Sequence, residues 1–131
     1  MSYLEATAGE TLLLDLGPLT RKNDAGDTVP VDLALGGTKL WLTIKRSKAD
    51  ADVDAEISKT FGVAGGPGGI AVDTPATVDN NMARATVDAV ETADILETTH
   101  FAYDWQLEEP GGRVSSPDHG TLSLLAAVTR A

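Results

Sequence analysis

The fold class of this chain is decided by one heptapeptide in its C-terminal third, Phe101-Ala102-Tyr103-Asp104-Trp105-Gln106-Leu107. Every second residue of the heptapeptide is aromatic or aliphatic, and the residues between them are small or polar. This period of two places the apolar side chains on one face, as in a half-buried antiparallel strand. A second stretch, Lys39–Lys45, repeats the pattern with Leu40, Leu42 and Ile44 on the inner face.

Other short apolar segments, separated by Gly, Pro, Asp and Asn, are also predicted as strands. They are Thr11–Leu16, Pro30–Ala34, Asp54–Phe61, Ile70–Val72, Met82–Val87 and Thr121–Val128. Residues 89–96 predict at most one short helical turn, because the segment is short and poorly capped. About seven to nine strands without βαβ alternation predict an all-β fold, a single immunoglobulin-like antiparallel β-sandwich. The sandwich spans residues 1–131, and residues 1–10 are a candidate for an extended N-terminal arm.

The composition narrows the classes of function. The chain has 131 residues, no cysteine, and a formal charge of −10 from 20 acidic and 10 basic residues. Absence of cysteine removes disulfides, thiolate nucleophiles and cysteine-based metal sites. The acidic surface disfavours nucleic acids and anionic membranes as partners. No apolar run approaches the roughly 20 residues of a membrane span, and the first residues lack the features of a signal peptide. We therefore expect release by lysis.

Two candidate metal sites are weak. Asp50, Asp52 and Asp54 alternate as calcium ligands do, but an EF-hand loop starting at Asp50 would need glycine at position 55 and glutamate at position 61. Ala55 and Phe61 stand there instead, so an acidic turn between strands is the better interpretation. His100 has no second histidine at ligand spacing. We expect no metal and no cofactor.

Catalytic motifs are also weak, and the prediction is that the protein is not an enzyme. His119, Asp118 and either Ser115 or Ser116 supply the residue types of a hydrolase triad, but they are predicted to lie in one polar loop. Neighbours along a loop rarely meet in triad geometry, and no Gly-x-Ser-x-Gly elbow is present. Paired carboxylates for glycoside cleavage stay open, because their spacing depends on the fold.

Three features are candidates for a protein interface. The run Leu12-Leu13-Leu14 is apolar on both faces, so it is either a doubly covered strand or a contact with another subunit. Trp41 faces away from Leu40 and Leu42, so it either anchors a partner or sugar, or covers the sandwich edge. The segment Gly65-Gly66-Pro67-Gly68 lacks the lysine of a phosphate loop. It is either a mobile solvent-exposed loop or a loop that orders on a neighbouring subunit.

The order of these elements resembles a known family. The matching segments are Gly26-Asp27, Val31-Asp32-Leu33, Leu40–Ser47, Ala49–Asp52, Ile57–Thr60, Ala85–Val87, Thr92–Asp94, Tyr103–Leu107, Gly112–Val114, Gly120–Leu124 and Val128–Arg130. With these segments the chain resembles the immunoglobulin-like β-sandwich domain of phage and prophage structural proteins. That family includes the N-terminal domain of the siphophage baseplate upper protein.

The resemblance implies a bacteriophage virion structural protein. Such domains precede longer fibre or receptor-binding regions, and since this chain stops at Ala131 we expect a head decoration or cement protein, or a fibre-base or adaptor module. Its implied partners are other virion proteins of the capsid, tail or baseplate, and copies of itself, and its implied location is the virion. The alternative is a carbohydrate-binding or host-adhesion module of a tail or baseplate.

Overall fold

The computed structural model describes residues 2–17, 19–22, 24–31, 33, 36–46, 56–72, 82–93, 95 and 97–126. This part of the chain contains ten strands and the four-residue helix α1 (Ala89–Thr92). The strands are β1 (Ser2–Thr7), β2 (Leu12–Leu16), β3 (Thr20–Lys22), β4 (Thr28–Pro30), β5 (Lys39–Lys45), β6 (Ile57–Phe61), β7 (Ile70–Val72), β8 (Ala83–Val87), β9 (Thr99–Glu108) and β10 (Val114–Leu125). No helix among these residues has the length and apolarity needed to cross a membrane. The predicted all-β fold with one helical turn is confirmed.

Two sheets pack face to face as a sandwich. The larger sheet has the strand order β1-β10-β9-β5-β6 and the smaller sheet has the order β2-β8-β7, while β3 and β4 form a separate hairpin. In the immunoglobulin fold one sheet contains strands A, B, E and D, and the other contains C, F and G. Here β2, β8 and β7 take the places of B, E and D, and β5, β9 and β10 take those of C, F and G.

The first strand departs from the predicted arrangement. β1 pairs in parallel with β10, from Ser2 opposite Gly120 to Thr7 opposite Leu125. The candidate arm at residues 1–10 thus contributes an edge strand to the larger sheet. A purely antiparallel sandwich was the wrong prediction at this pair, because alternation along a strand says nothing about the direction of its partner. β1, β3 and β4 were not predicted as strands, and they raise the count to ten in the described residues.

The core is built where the alternating faces of β5 and β9 meet the smaller sheet. Leu42 pairs with Trp105 and Ile44 with Tyr103, and all four side chains are buried. The buried set continues through the alternate leucines of β2 and the alternate residues of β8. Burying apolar area stabilises a fold by about 25 cal/mol per Å². This shared buried face is therefore the main source of the sandwich's stability.

Two predicted strands have different bounds in the structure. The segment Pro30–Ala34 was wrong as a strand, since β4 ends at Pro30 and the apolar Val31 and Leu33 enter the core without a ladder of their own; Asp32 and Ala34 lie outside the described residues. The last strand is β10, which starts at Val114 instead of Thr121. A register shift between Ser115 and Asp118 accommodates Pro117, because a bulge does not need the N–H group that proline lacks.

The glycine-rich segment after β6 joins the two sheets at one edge of the sandwich. Thr60 donates its backbone N–H to the Gly68 carbonyl oxygen at 2.8 Å, and its hydroxyl accepts the Gly68 N–H at 2.9 Å. The Gly69 carbonyl oxygen accepts the N–H of Thr86, on the smaller sheet, at 3.0 Å. The segment has no regular structure, as predicted, and these bonds fix it within its own chain.

Substitution of Gly62 tests how tightly the chain is packed after β6, at the edge of the sandwich that the glycine-rich segment joins. Gly62 and Gly65 have similar positive φ angles of 71° and 75°, but a Cβ atom at Gly62 would clash with the Thr38 carbonyl oxygen, whereas one at Gly65 meets open space. Replacing glycine in this conformation costs about 1–2 kcal/mol. We expect Gly62→Ala to lower the unfolding free energy by roughly 2 kcal/mol more than Gly65→Ala, because the added carbon meets backbone. Urea unfolding followed by tryptophan fluorescence measures both, and equal losses would contradict the packing.

Candidate functional site

The leucine run of β2 divides between the core and the surface. Leu12 and Leu14 are buried on the inner face, whereas Leu13 is 54% exposed on the outer face. β2 pairs only with β8, so it is an edge of the smaller sheet within the described residues. The doubly covered strand was therefore wrong, because nothing in the described chain covers the outer face at Leu13. The other predicted possibility, contact with another subunit, stays a prediction.

A second exposed edge lies beside β2. β1 pairs with β10 along one side only, and two of its apolar residues are exposed, Tyr3 at 62% and Leu4 at 36%. Since β1 ends the larger sheet and β2 ends the smaller sheet, the two strands together form one edge of the sandwich. We call β1 and β2 with the turn between them the open edge.

A groove of about 370 Å³ runs between the two strands of the open edge. It is lined by Leu4, Glu5, Ala6, Thr7, Glu10, Thr11, Leu12, Leu13, Leu14 and Leu122. Leu12 and Leu14 are buried, so the exposed part of the lining belongs mainly to the other residues. Six of the ten lining residues are leucine or alanine, and polar atoms contribute about as much of the exposed lining as apolar atoms do.

The open edge is acidic. Glu5 and Glu10 are exposed and line the groove, and none of the residues lining the groove is lysine or arginine. The neighbouring Asp15 is neutralised by Arg84, whose guanidinium donates hydrogen bonds of 2.6 and 3.1 Å to its carboxylate. Those hydrogen bonds lower the pKa of Asp15 against a smaller opposing effect of burial. The charge that a ligand meets in the groove therefore comes from Glu5 and Glu10.

The opposite edge of the sandwich is closed by an ion pair as well as by the glycine-rich segment. The Lys59 ammonium on β6 donates hydrogen bonds of 2.8 Å to both carboxylate oxygens of Glu91 on α1. The Asp88 backbone N–H also donates to Glu91 at 2.8 Å, which completes a capping box. Burial raises the pKa of Glu91, but the Lys59 and Asp88 hydrogen bonds outweigh it and hold the pKa below its ordinary value.

The remaining predicted interface residues lie away from the open edge. Trp41 is half-buried on the outer face of the larger sheet, between Thr60 and Gln106. Gly65, Gly66 and Pro67 are exposed and Gly68 is half-buried, all beyond β6. Because β5 and β6 lie at the far side of the larger sheet from β1, the structure does not bring these residues together with the Leu12–Leu14 run.

The polar residues considered for catalysis do not form a triad. Asp118 and His119 are neighbours in β10, so their side chains point to opposite faces. The Asp118 carboxylate accepts a hydrogen bond of 3.3 Å from the Tyr103 hydroxyl. His119 lies opposite Asp104 on the other face of the sheet. The structure instead places His100 Nδ1 at 2.5 Å from the Ser123 hydroxyl. Ser123 is only 1% exposed, so this hydroxyl is out of reach of a substrate and the bond is structural.

Metal ligands do not converge in the part of the chain that the structure describes. No group of three or more His, Asp or Glu side chains there is arranged to hold an ion. The acidic turn with Asp50, Asp52 and Asp54 lies outside the described residues.

A second groove, of about 400 Å³, crosses the outer face of the larger sheet. It is lined by Thr43, Lys45, Ala102, Tyr103, Asp104, Ser116, His119, Gly120 and Thr121. The depression exists because Ala102 and Thr121, paired at the centre of the sheet, have short side chains between longer neighbours. Trp41 is not among its lining residues. Sequence reasoning missed this groove, since it depends on which short residues become cross-strand neighbours.

No protein-family model and no curated protein sequence matches this chain. The resemblance to phage immunoglobulin-like domains therefore stays a prediction, and function has to be inferred from the geometry above.

Tyr3 and Leu4, which the structure places on the open edge, were not predicted from the sequence. Leu4 lines the same groove as Leu12–Leu14, and its position there follows from the pairing of β1 with the last strand, far away in sequence. Tyr3, opposite Thr121, lies on the outer face of the larger sheet. The available signal was two adjacent apolar residues, Tyr3 and Leu4, at the start of the chain, next to a strand predicted to be apolar on both faces.

Matched truncations test the division of the leucine run. Leu14→Ala should lower the unfolding free energy by about 2–5 kcal/mol because it opens a cavity in the core. Leu13→Ala removes the same atoms from an exposed position, and we expect a change within about 0.5 kcal/mol. Chemical denaturation measures both, and a large loss at Leu13 would mean that its face is covered within the monomer.

The ion pair between Lys59 and Glu91 should stabilise the fold less in acid than at neutral pH. A carboxylate with a lowered folded-state pKa stabilises the fold above its unfolded value, here near 4.5, and this contribution disappears as the pH falls through the folded pKa. Glu91→Gln should therefore cost up to about 1 kcal/mol at pH 7 and progressively less below pH 4.5. Urea unfolding between pH 7 and 3 measures this, with the exposed Glu97→Gln as control. If the loss of unfolding free energy caused by Glu91→Gln stays constant across that pH range, the lowered pKa of Glu91 in the folded state is contradicted.

Proposed function

We propose that this chain is a structural module of a bacteriophage particle that binds other particle proteins through its open edge. The observation that carries the proposal is the exposure of Tyr3, Leu4 and Leu13 along two edge strands of different sheets. Edge strands are normally protected by charge, proline or cover, since they invite pairing with other chains. No described strand covers the open edge, and it carries exposed apolar side chains beside its acidic ones; an exposed apolar surface of this kind is typical of a protein interface.

The open edge offers two kinds of binding energy. Backbone groups of β1 and β2 that face away from their sheets can hydrogen-bond to an added strand, and the groove between them can bury aliphatic side chains. A stable interface buries about 800 Å² on each partner, which is roughly a tenth of the 7673 Å² surface of this chain. A partner therefore has to extend beyond the groove onto the neighbouring sheet faces.

The particle setting rests on the sequence resemblance to phage immunoglobulin-like domains and on the net charge. A charge of −10 keeps a protein soluble at the high local concentrations of an assembling particle, and it disfavours binding to the packaged nucleic acid. We propose a head decoration or cement protein, or a fibre-base or adaptor module. It would be assembled in the host cytoplasm, released by lysis, and active through protein contacts without a cofactor.

Particles assembled with variants of the open edge test this proposal. Leu13→Asp should lower the copy number per particle at least tenfold, because the charge would have to be buried at the interface. Val114→Asp is the matched control, since Val114 is 61% exposed at the start of β10, before the part of that strand that pairs with β1. Quantitative mass spectrometry of purified particles measures the copy number. Absence of the unaltered protein from particles, or equal incorporation of both variants, would contradict the proposal.

A carbohydrate-binding or host-adhesion module is the second candidate function. The groove on the outer face of the larger sheet favours it, because threonine hydroxyls, Asp104 and His119 are groups that hydrogen-bond to sugar hydroxyls. A glycan array should show binding that Asp104→Asn abolishes and Leu13→Asp leaves unchanged. Loss of glycan binding on Trp41→Ala instead would place a sugar beside Trp41, outside this groove.

A further inference from the structure

The short helix α1 is bonded to elements from both edges of the sandwich. The Thr92 hydroxyl accepts a hydrogen bond of 2.9 Å from the Gly9 backbone N–H, in the turn between β1 and β2. The neighbouring residue, Glu91, accepts the hydrogen bonds of Lys59 from β6. Because Glu91 and Thr92 are adjacent in α1, this single turn of helix links β6, at one edge of the larger sheet, to the turn of the open edge.

We propose that α1 fixes the open edge in the geometry that binds its partner, and that Thr92 is the positioning residue through which it does so. Thr92 is fully buried, so it cannot contact a partner protein and acts only through the turn at Gly9. This inference rests on the proposed function, in which the open edge binds other particle proteins. It adds to that function a residue that lies beneath the binding surface.

The turn between β1 and β2 is fixed at two adjacent backbone groups. The Ala8 N–H donates a hydrogen bond of 3.0 Å to the carbonyl oxygen of Leu125, at the end of β10. Gly9 has a positive φ of 81°, which takes the chain out of the extended conformation of β1, and its N–H is directed to Thr92. Since β1 belongs to the larger sheet and β2 to the smaller sheet, the position of this turn sets how the two strands beside the groove lie relative to each other.

Loss of the Thr92 hydroxyl would release this turn from α1. The hydrogen bond joins a fully buried acceptor to a donor in a half-buried turn, and a buried polar group without a partner is unfavourable. Gly9 would have to turn its N–H toward water, and a glycine has the backbone freedom to do so. Of the two bonds that fix the turn, only that of Ala8 to Leu125 would then remain.

The other side of α1 is fixed by a shielded ion pair. The Lys59 side chain is 12% exposed, and it lies against Gly69, where a Cβ atom would come within 2.7 Å of the Lys59 Cδ. Glu91 also accepts the Asp88 N–H, so one carboxylate both caps α1 and binds β6. A helix of four residues is not stable by itself. The position of α1, and with it that of Thr92, therefore depends on these contacts.

Amide hydrogen exchange of the intact chain, measured for single residues by NMR, tests the inference. Thr92→Val replaces the hydroxyl with a methyl group and keeps the branched shape of the side chain. We expect the Ala8 amide, whose bond to Leu125 is not altered by the substitution, to exchange about tenfold faster. The Tyr103 amide, in the middle of β9, should change less than about twofold, whereas a general loss of stability would speed the exchange of both amides.

Two other threonine variants are matched controls. Thr92→Ser keeps the hydroxyl, so the exchange rate of the Ala8 amide should stay within about threefold of that in the unaltered chain. Thr38→Val also removes a hydroxyl from a buried threonine, but this hydroxyl has no hydrogen-bond partner in the described part of the chain. Thr38→Val should change the exchange rate of the Ala8 amide less than about twofold.

Glu91→Gln tests α1 from its other side, and it keeps the inference testable if Thr92→Val does not fold. Glu91 is exposed, and the substitution removes the charge that Lys59 binds. The exchange of the Ala8 amide should become about threefold faster in Glu91→Gln, and it should change less than about twofold in the exposed control Glu97→Gln.

Particles assembled with the same variants connect the turn to binding. Thr92→Val should lower the copy number per particle about threefold or more, because a partner would have to order the turn when it binds. Thr38→Val should leave the copy number unchanged. Quantitative mass spectrometry of purified particles measures both.

Three results would overturn the inference. They are unchanged exchange of the Ala8 amide in Thr92→Val and Glu91→Gln, equal acceleration in Thr92→Ser or Thr38→Val, and an unchanged copy number of Thr92→Val in particles. If Leu13→Asp removes the protein from particles and Thr92→Val does not, the proposed function stands and the inference fails. If the unaltered protein is absent from particles, the proposed function fails, and the exchange of the Ala8 amide alone decides whether Thr92 positions the turn.

Discussion

The packing of β9 on β5 is the interaction on which the rest of the structure depends. Trp105 pairs with Leu42 and Tyr103 with Ile44, and their side chains form the middle of the buried face that the smaller sheet covers. Because a shift of one residue along either strand would turn every apolar side chain to solvent, this pair fixes the register of the larger sheet. The grooves and edges described above are positioned by that register.

The alternation of apolar and polar residues along a single strand is the feature of this fold that can best be predicted from the sequence. β5 and β9 carry a strict period of two, so their buried faces could be predicted from the sequence. β5 has the predicted bounds, whereas β9 runs from Thr99 to Glu108, beyond both ends of the predicted heptapeptide. β1 could not be predicted, because it has no such alternation and its partner β10 lies more than a hundred residues away. Pro117 concealed the first half of β10, since proline in the sequence indicates a turn and only the opposing strand reveals a bulge.

The candidate site was predictable to the same extent. The Leu12–Leu14 run marks β2 as unusual from the sequence alone, but its division into buried and exposed residues required the sandwich. The pairing of β1 with the last strand was needed to bring Leu4 into the groove that Leu13 also lines. The predicted loop lacks regular structure and exposes Gly65, Gly66 and Pro67, but the hydrogen bonds between Thr60 and Gly68 at its end could not be predicted, because glycine content does not indicate hydrogen-bond partners.

The parallel pairing of β1 with β10 has a mechanical consequence. β1 begins opposite the middle of β10 and ends opposite its last residue, Leu125, over six paired positions. A pull that separates the two ends of the chain draws β1 backward and β10 forward along their common axis. The hydrogen bonds between them then bear the load together in shear, instead of opening one after another as in a hairpin that is unzipped. Tethered at both ends in an assembly under tension, the domain would resist extension through its first and last strands.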